Sequence, residues 1–260
     1  MTTRFECRMC GNCCRNLRGR GSLWPGSLPD FVYVSVPHSH QTISLQEWEV
    51  STLREKAKKL SVAFKVEPNF LFLDEISGGP IVTQWNLDHD DCPFLSAENK
   101  CLVNEEKPLI CQAYPLLVIE LFNDMDEPKN LAIGDCPNAV ELPFKDVPSN
   151  EIKPAEFFRQ LFDKYHAAFL GNMNLASTAT LLRNTMSYLI GNGLIRPAPI
   201  HKKGVMKALL RGEQRGLLEH LRDRYPDVWQ KVSEEIQIIK QFDLKALEDL
   251  INESTSRNSA

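Results

Sequence analysis

Four thiols within eight residues, Cys7-Arg-Met-Cys10-Gly-Asn-Cys13-Cys14, constrain this chain more than any other stretch of its sequence. Folding alone gives no reason to concentrate cysteine in this way. A second group, Cys92, Cys101 and Cys111, stands far along the chain, and Cys136 follows it. Two cysteines in Cys-x-x-Cys spacing reach one tetrahedral ion or one cluster, because the intervening turn points both sulfurs inward. Gly11, directly after the second cysteine, lets backbone amides approach the sulfurs. Cys7, Cys10 and Cys13 therefore form a tight tripod. The side chain of Cys14 diverges from that of its neighbour, so Cys14 either serves a second centre or is a packed bystander.

The run Cys-x2-Cys-x2-Cys also occurs in ferredoxins, where a remote Cys-Pro supplies a further ligand. Cys92-Pro93 and Cys136-Pro137 are available for that part. Eight thiolates fill two four-ligand sites, or one cluster plus one mononuclear site, and the spacing does not choose. Four cysteines also satisfy a closed zinc site. Ligand softness and number rank an iron–sulfur cluster ahead of zinc. The Cys-x3-Cys-x2-Cys triplet of radical enzymes is not matched, and no βαβ context supports a thioredoxin-like Cys-x-x-Cys.

Composition decides between metal and disulfides. The amino terminus lacks the apolar run of a secretory signal, and Leu109 to Phe122 is interrupted by Gln112 and Glu120 and is too short to span a bilayer. A cytosolic setting with no membrane partner is the expectation, and reducing conditions favour thiolate ligation over disulfides. A chain of 260 residues with 43% hydrophobic content needs no disulfide staples. A net charge of −4 gives no argument for nucleic acid.

The expected fold class is α+β: a small strand-containing cysteine-cluster region over residues 1–145, a mainly helical region over 146–252 packed on it, and a disordered tail over 253–260. Residues 1–30 read as an irregular segment with Gly19, Gly21, Pro25, Gly26 and Pro29. Phe31 to Val36 reads as a strand. Ser44-Leu-Gln-Glu47 has capping-box spacing for a helix to about Leu60, with Leu45, Trp48, Leu53 and Leu60 inward and Arg54 to Lys59 in solvent. Phe70 to Leu73 and Ile81 to Trp85 read as strands around Gly78-Gly79-Pro80, and Leu116 to Phe122 and Leu131 to Ile133 as two more. All eight cysteines then fall in loops or at element ends.

The proline-spaced stretch from Leu142 to Pro154 reads as a linker. Phe157, Phe158, Leu161, Phe162, Tyr165 and Phe169 recur at helical spacing and form a core stripe. A helix from Leu175 to Ile190 stops at Gly191-Asn-Gly193. Further helices run from about Gly204 to Tyr225 and from Pro226 to about Ile251. The last carries the stripe Val228, Val232, Ile236, Ile239, Leu247 and Leu250. Glu253 to Ala260 is a frayed tail.

Arg4, Arg8, Arg15, Arg18 and Arg20 surround the first cluster, opposed by Glu6. They compensate an anionic thiolate cluster or bind an anionic ligand beside it, or they form a solvated basic loop. His38 and His40 either complete a coordination sphere, since imidazole ligates zinc and iron, or are surface residues at a strand end, the reading preferred. His89, among Asp88, Asp90 and Asp91, either binds a hard cation or a basic substrate or belongs to a solvated acidic turn, the reading preferred.

These residues resemble the CxxCxxCC, or YkgJ-type, cysteine-cluster family, described as zinc- or iron-chelating domains. The resemblance lies in Cys7-x2-Cys10-x2-Cys13-Cys14, Cys92-Pro-Phe-Leu95, Cys101, Lys107-Pro108 and Cys111-x-x-Tyr114-Pro115, in order over about the first 140 residues. Asn104 stands where the family usually has Tyr, Lys107 where it has Arg, and Gln112 where it has Arg. Lysine at 107 keeps the charge and loses bidentate geometry. The resemblance implies metal ligation by Cys7, Cys10, Cys13, Cys14, Cys92, Cys101 and Cys111, with Lys107 and Tyr114 beside the cofactor; the Cys-Pro reading adds Cys136 as a ligand, and the basic surroundings add Arg8 and Arg15 beside it. One branch, similar to flagellin lysine-N-methylase, implies an iron–sulfur centre, S-adenosylmethionine and a protein substrate. No Gly-rich nucleotide loop follows a strand. The function expected is thus metal binding by two converging cysteine groups. A protein lysine methyltransferase and a zinc-stapled adaptor are the alternatives, with no catalytic residue identified.

Overall fold

The computed structural model describes residues 4–17, 34–35, 43–117, 132–133, 136–140, 155–198, 207 and 214–257. Arg18, Arg20, His38, His40, the Gly/Pro-rich loop and the stretch from Leu142 to Pro154 lie outside the described residues. The fold is α+β and resolves into two compact units, each drawing on both halves of the chain. Among the described residues, no helix is long and apolar enough to cross a membrane.

One unit comprises Cys14–Glu106 and Leu181–Glu234. Its sheet is built on a hairpin of β3 (Val66–Asp74) and β4 (Gly79–Leu87), paired from Val66↔Leu87 to Asp74↔Gly79. β-Branched and aromatic residues favour these strands, and Gly78, at φ 73, makes the turn in a left-handed conformation that glycine adopts without strain. Strands β1 (Val34–Ser35) and β2 (Ser44–Leu45) pair antiparallel with β3 and β4. A short strand β7 (Arg215–Gly216) runs parallel to β4. Leu45, Leu71, Phe72, Ile81 and Val82 are buried in this unit. The Asp74 carboxylate accepts the backbone N–H groups of Ser77 at 2.8 Å and Arg196 at 2.7 Å, which ties the hairpin end to the segment after the long helix.

Helix α1 (Glu47–Leu60) ends at Leu60, as its pattern predicts, but its cap differs from the expected one. Ser44 is drawn into β2 opposite Asn86, so the cap moves to Gln46, whose N–H donates to Glu49 Oε2 at 2.7 Å. Glu47 turns elsewhere: its carboxylate accepts the N–H groups of Leu218 at 2.7 Å and Glu219 at 2.9 Å, at the start of α4 (Leu217–Arg224). The inward face also departs from expectation. Ala57 is buried, while Leu60 at the last turn is 39% exposed.

The other unit comprises Met1–Cys13, Lys107–Thr180 and Glu235–Ala260. It contains α2 (Leu109–Ala113), strands β5 (Leu116–Leu117) and β6 (Ala132–Ile133), and the first part of α3 (Ala155–Gly191). Helix α5 (Pro226–Gln241) ends in it, and α6 (Leu244–Arg257) follows. One core gathers Phe5, Leu116, Leu161, Phe162, Tyr165, Ala168, Phe169, Leu247 and Ile251, with Cys136 and Val140 packed against it. The predicted stripe of α3 therefore faces inward over its described part. Two helices, α5 and α6, replace the single one expected after Pro226. Leu250 is 52% exposed rather than inward, and Ile251 takes its place. Helical structure continues to Arg257 through most of the expected tail.

Helix α3 is broken at Tyr165, whose backbone is non-helical (φ −133, ψ 33). The last carbonyls of a helical segment lack intrahelical partners. Here the carbonyl of Lys164 accepts the N–H of Phe5 at 2.7 Å, and that of Asp163 accepts Arg4 Nε at 3.1 Å. The Tyr165 ring stacks on Phe5, centroids 5.3 Å apart.

Candidate metal centre

All eight cysteines are thiols. In the unit holding the amino terminus, Cys7 and Cys10 are exposed and Cys13 is half-buried. Two left-handed residues, Met9 at φ 51 and Gly11 at φ 79, flank Cys10, and Cys13 lies in a single turn of 3-10 helix, Asn12–Cys14. The alternation winds the backbone tightly around the Cys-x2-Cys-x2-Cys run.

Cys136 comes from far along the chain and enters the same electrostatic neighbourhood. Burial pushes its thiol above the ordinary cysteine range. The nearby thiols of Cys10, Cys13 and Cys7 push it further, and a hydrogen bond from the Asn138 backbone opposes them. A compensating positive charge would favour the ionised form of Cys136. A soft, all-thiol donor set fits zinc or an iron–sulfur cluster and suits hard cations poorly. Among the described residues, no three His, Cys, Asp or Glu side chains stand close enough to enclose an ion as they are.

Tyr165 joins Cys136 to the core. Its hydroxyl accepts the N–H of Val140 at 2.7 Å and donates to the Val140 carbonyl. Burial raises its own pKa, the Val140 contact lowers it and the Cys136 thiol raises it again. Cys111 lies inside α2 rather than in a loop, and α2 packs directly on α3. A Cβ placed on Gly171 would meet the Ala113 nitrogen at 2.5 Å. Asn172 Nδ2 donates to the carbonyls of Ala113 at 3.2 Å and Leu116 at 2.6 Å. Lys107 and Tyr114 bracket α2: the Lys107 carbonyl accepts Gln112 Nε2 at 2.7 Å, and the Tyr114 N–H reaches the Ile110 carbonyl at 3.2 Å. Arg8 is exposed in the loop between Cys7 and Cys10.

In the other unit, Cys14 and Cys92 are joined through their backbones, with Cys92 N–H donating to the Cys14 carbonyl at 2.7 Å. The two segments stay together beyond that pair. Asn16 N–H reaches Asp91 Oδ1 at 2.7 Å, and Leu17 N–H reaches the Asp90 carbonyl at 2.6 Å. Cys101 closes a small loop through a bridge to Leu95, supported by Leu102 N–H to the Phe94 carbonyl at 2.9 Å. Arg15 donates to the Asn99 side-chain oxygen and lies 3.8 Å from the Asp91 carboxylate, with both ionic groups about half exposed. Such a pair adds little stability. His89 Nε2 accepts the Lys65 N–H at 2.9 Å, a local structural role.

Residues 6–130 match the model of the CxxCxxCC family, whose description reads "Putative zinc- or iron-chelating domain". The match supports metal binding. It takes in seven of the eight cysteines and stops short of Cys136. No curated protein and no solved structure gives a significant match. Tyr165 is the contributor that sequence reasoning placed only in the core. Its helical spacing matched the apolar stripe, and nothing in the sequence marks the break in α3.

Proposed function

We propose that this protein binds metal through Cys7, Cys10, Cys13 and Cys136, which together hold an iron–sulfur cluster. The carrying observation is the Cys-x2-Cys-x2-Cys run wound through the left-handed residues Met9 and Gly11, with Cys136, beyond the matched segment, packed on the core that also holds Phe5. A Cys-x2-Cys-x2-Cys run completed by a remote Cys-Pro is the ligand pattern of four-iron ferredoxin-type clusters. The centre would supply electron storage or a rigid cross-link. The chain's own residues hold the thiolates, wind the loop through Met9 and Gly11, and cover the Cys136 side with the Tyr165 core. When bound, the metal would supply the positive charge that favours the thiolate form of these cysteines. Cys14, Cys92, Cys101 and Cys111 remain ligand candidates on their chemistry.

Anaerobic purification of the full chain, followed by iron, zinc and acid-labile sulfide analysis, tests this reading. Iron and sulfide in equal amounts, with a brown colour, are expected. Stoichiometric zinc in a colourless, sulfide-free protein would replace the cluster by a structural zinc site.

A further inference from the structure

We propose that Tyr165 is the positioning residue of this centre, and that the break it makes in α3 holds the two ligand-bearing segments together. The inference rests on the reading above and extends the centre past the residues that match the family. Two strands of chain carry the four thiols, and both are fastened at one point of one helix. On the amino-terminal side, the Lys164 carbonyl takes the Phe5 N–H at 2.7 Å, the Asp163 carbonyl takes Arg4 Nε at 3.1 Å, and the Tyr165 ring stacks on Phe5. Phe5 is two residues from Cys7. On the other side, the Tyr165 hydroxyl holds both the N–H and the carbonyl of Val140, four residues from Cys136.

An unbroken helix would spend the carbonyls of Asp163 and Lys164 on its own next turn. The break releases them, and the negative end of the helical segment suits the Arg4 cation. Tyr165 is itself fully buried, so its ring and hydroxyl are fixed by packing. A residue that orients ligands through their backbones sharpens the affinity and electronic signature of a metal centre without touching the metal.

The test uses full-length wild-type, Tyr165→Phe and Arg4→Met proteins, reconstituted anaerobically with iron and sulfide. Phenylalanine keeps the ring and loses only the hydroxyl. The expected result is cluster loss to an iron chelator about tenfold faster in Tyr165→Phe, with a changed spin-resonance signal for the fraction still loaded. Arg4→Met, at an exposed site, should accelerate the loss by a smaller factor in the same direction. A Tyr165→Phe protein with wild-type loss rate and spectrum overturns the inference while leaving the metal reading intact. A wild-type chain that takes up neither iron nor zinc overturns both. If Tyr165→Phe does not fold, Arg4→Met decides: wild-type chelation kinetics in that variant overturn the proposal.

Discussion

The cysteines of the two units are held in different ways. In one, Cys14 and Cys92 are locked by their own main chain, through a short ladder of backbone bonds from Cys14–Leu17 to Asp90–Cys92. In the other, Cys7, Cys10, Cys13 and Cys136 are loosely exposed to half-buried, and their segments are hung on a distant helix. Backbone pairing fixes thiols whether or not an ion is present. Where the segments are hung from a helix, ionisation of Cys136 is disfavoured by burial and by the thiols near it. Under the proposed reading, the second group is the one that metal completes, and the one more exposed to changes in remote packing.

The largest effect that sharpens this contrast is ligand removal. Cys10→Ser should abolish the cluster signal in visible absorption, because the tripod loses its central sulfur. Retention of full iron content would break the distinction between the two groups.

A pH titration of stability comes next, and it probes the backbone-locked unit alone. Burial raises the pKa of Glu47 from about 4.5 to about 7, partly offset by the Leu218 and Glu219 N–H groups. Glu219 raises it further and Arg222 lowers it. A carboxyl whose folded pKa is raised stabilises most below its unfolded pKa, and that contribution is lost as pH rises through the folded value. Glu47 should therefore cost stability between about pH 4.5 and 7, on the order of 3 kcal/mol by its end. Denaturant melts of wild-type and Glu47→Gln should diverge across this window, with the variant flatter. Parallel curves would contradict the assignment.

Packing of α3 against the end of α2 gives a slightly smaller effect. In Gly171→Ala the new methyl meets the backbone of α2, which cannot swing aside as a side chain can. A loss of about 1–3 kcal/mol is expected from overpacking, read as a lower thermal midpoint of the metal-loaded chain. An unchanged midpoint would mean that α2 shifts freely. The smallest change is Gly11→Ala, where φ 79 forces an L-residue into the left-handed region at about 1–2 kcal/mol. Slower iron uptake at equal folded content would report it. Uptake at the wild-type rate would show that the loop tolerates the strain.

Much of this was legible in the sequence, for identifiable reasons. The cysteine spacing pointed to Cys7, Cys10 and Cys13 as proposed ligands, and Pro137 made Cys136 one of two candidates for a fourth. The β3–β4 hairpin followed from β-branched runs around Gly78, and the core stripe of α3 from its period. Other features were not legible. Helix α2 is only five residues long, too short for periodicity to register. The cap of α1 moved because Ser44 pairs with Asn86, a contact between distant residues. Tyr165 satisfied the helical stripe while breaking the helix, and neither proline nor glycine announced it. Each of these depends on a tertiary partner that local pattern does not contain.

The central claim is that Cys136 completes the site begun by Cys7, Cys10 and Cys13. Spin-resonance spectra of reduced wild-type and Cys136→Ser proteins, prepared anaerobically side by side, test it most directly. The account predicts a four-iron signal in the wild type that is lost or converted to another cluster type in the variant. An unaltered signal in Cys136→Ser would contradict it.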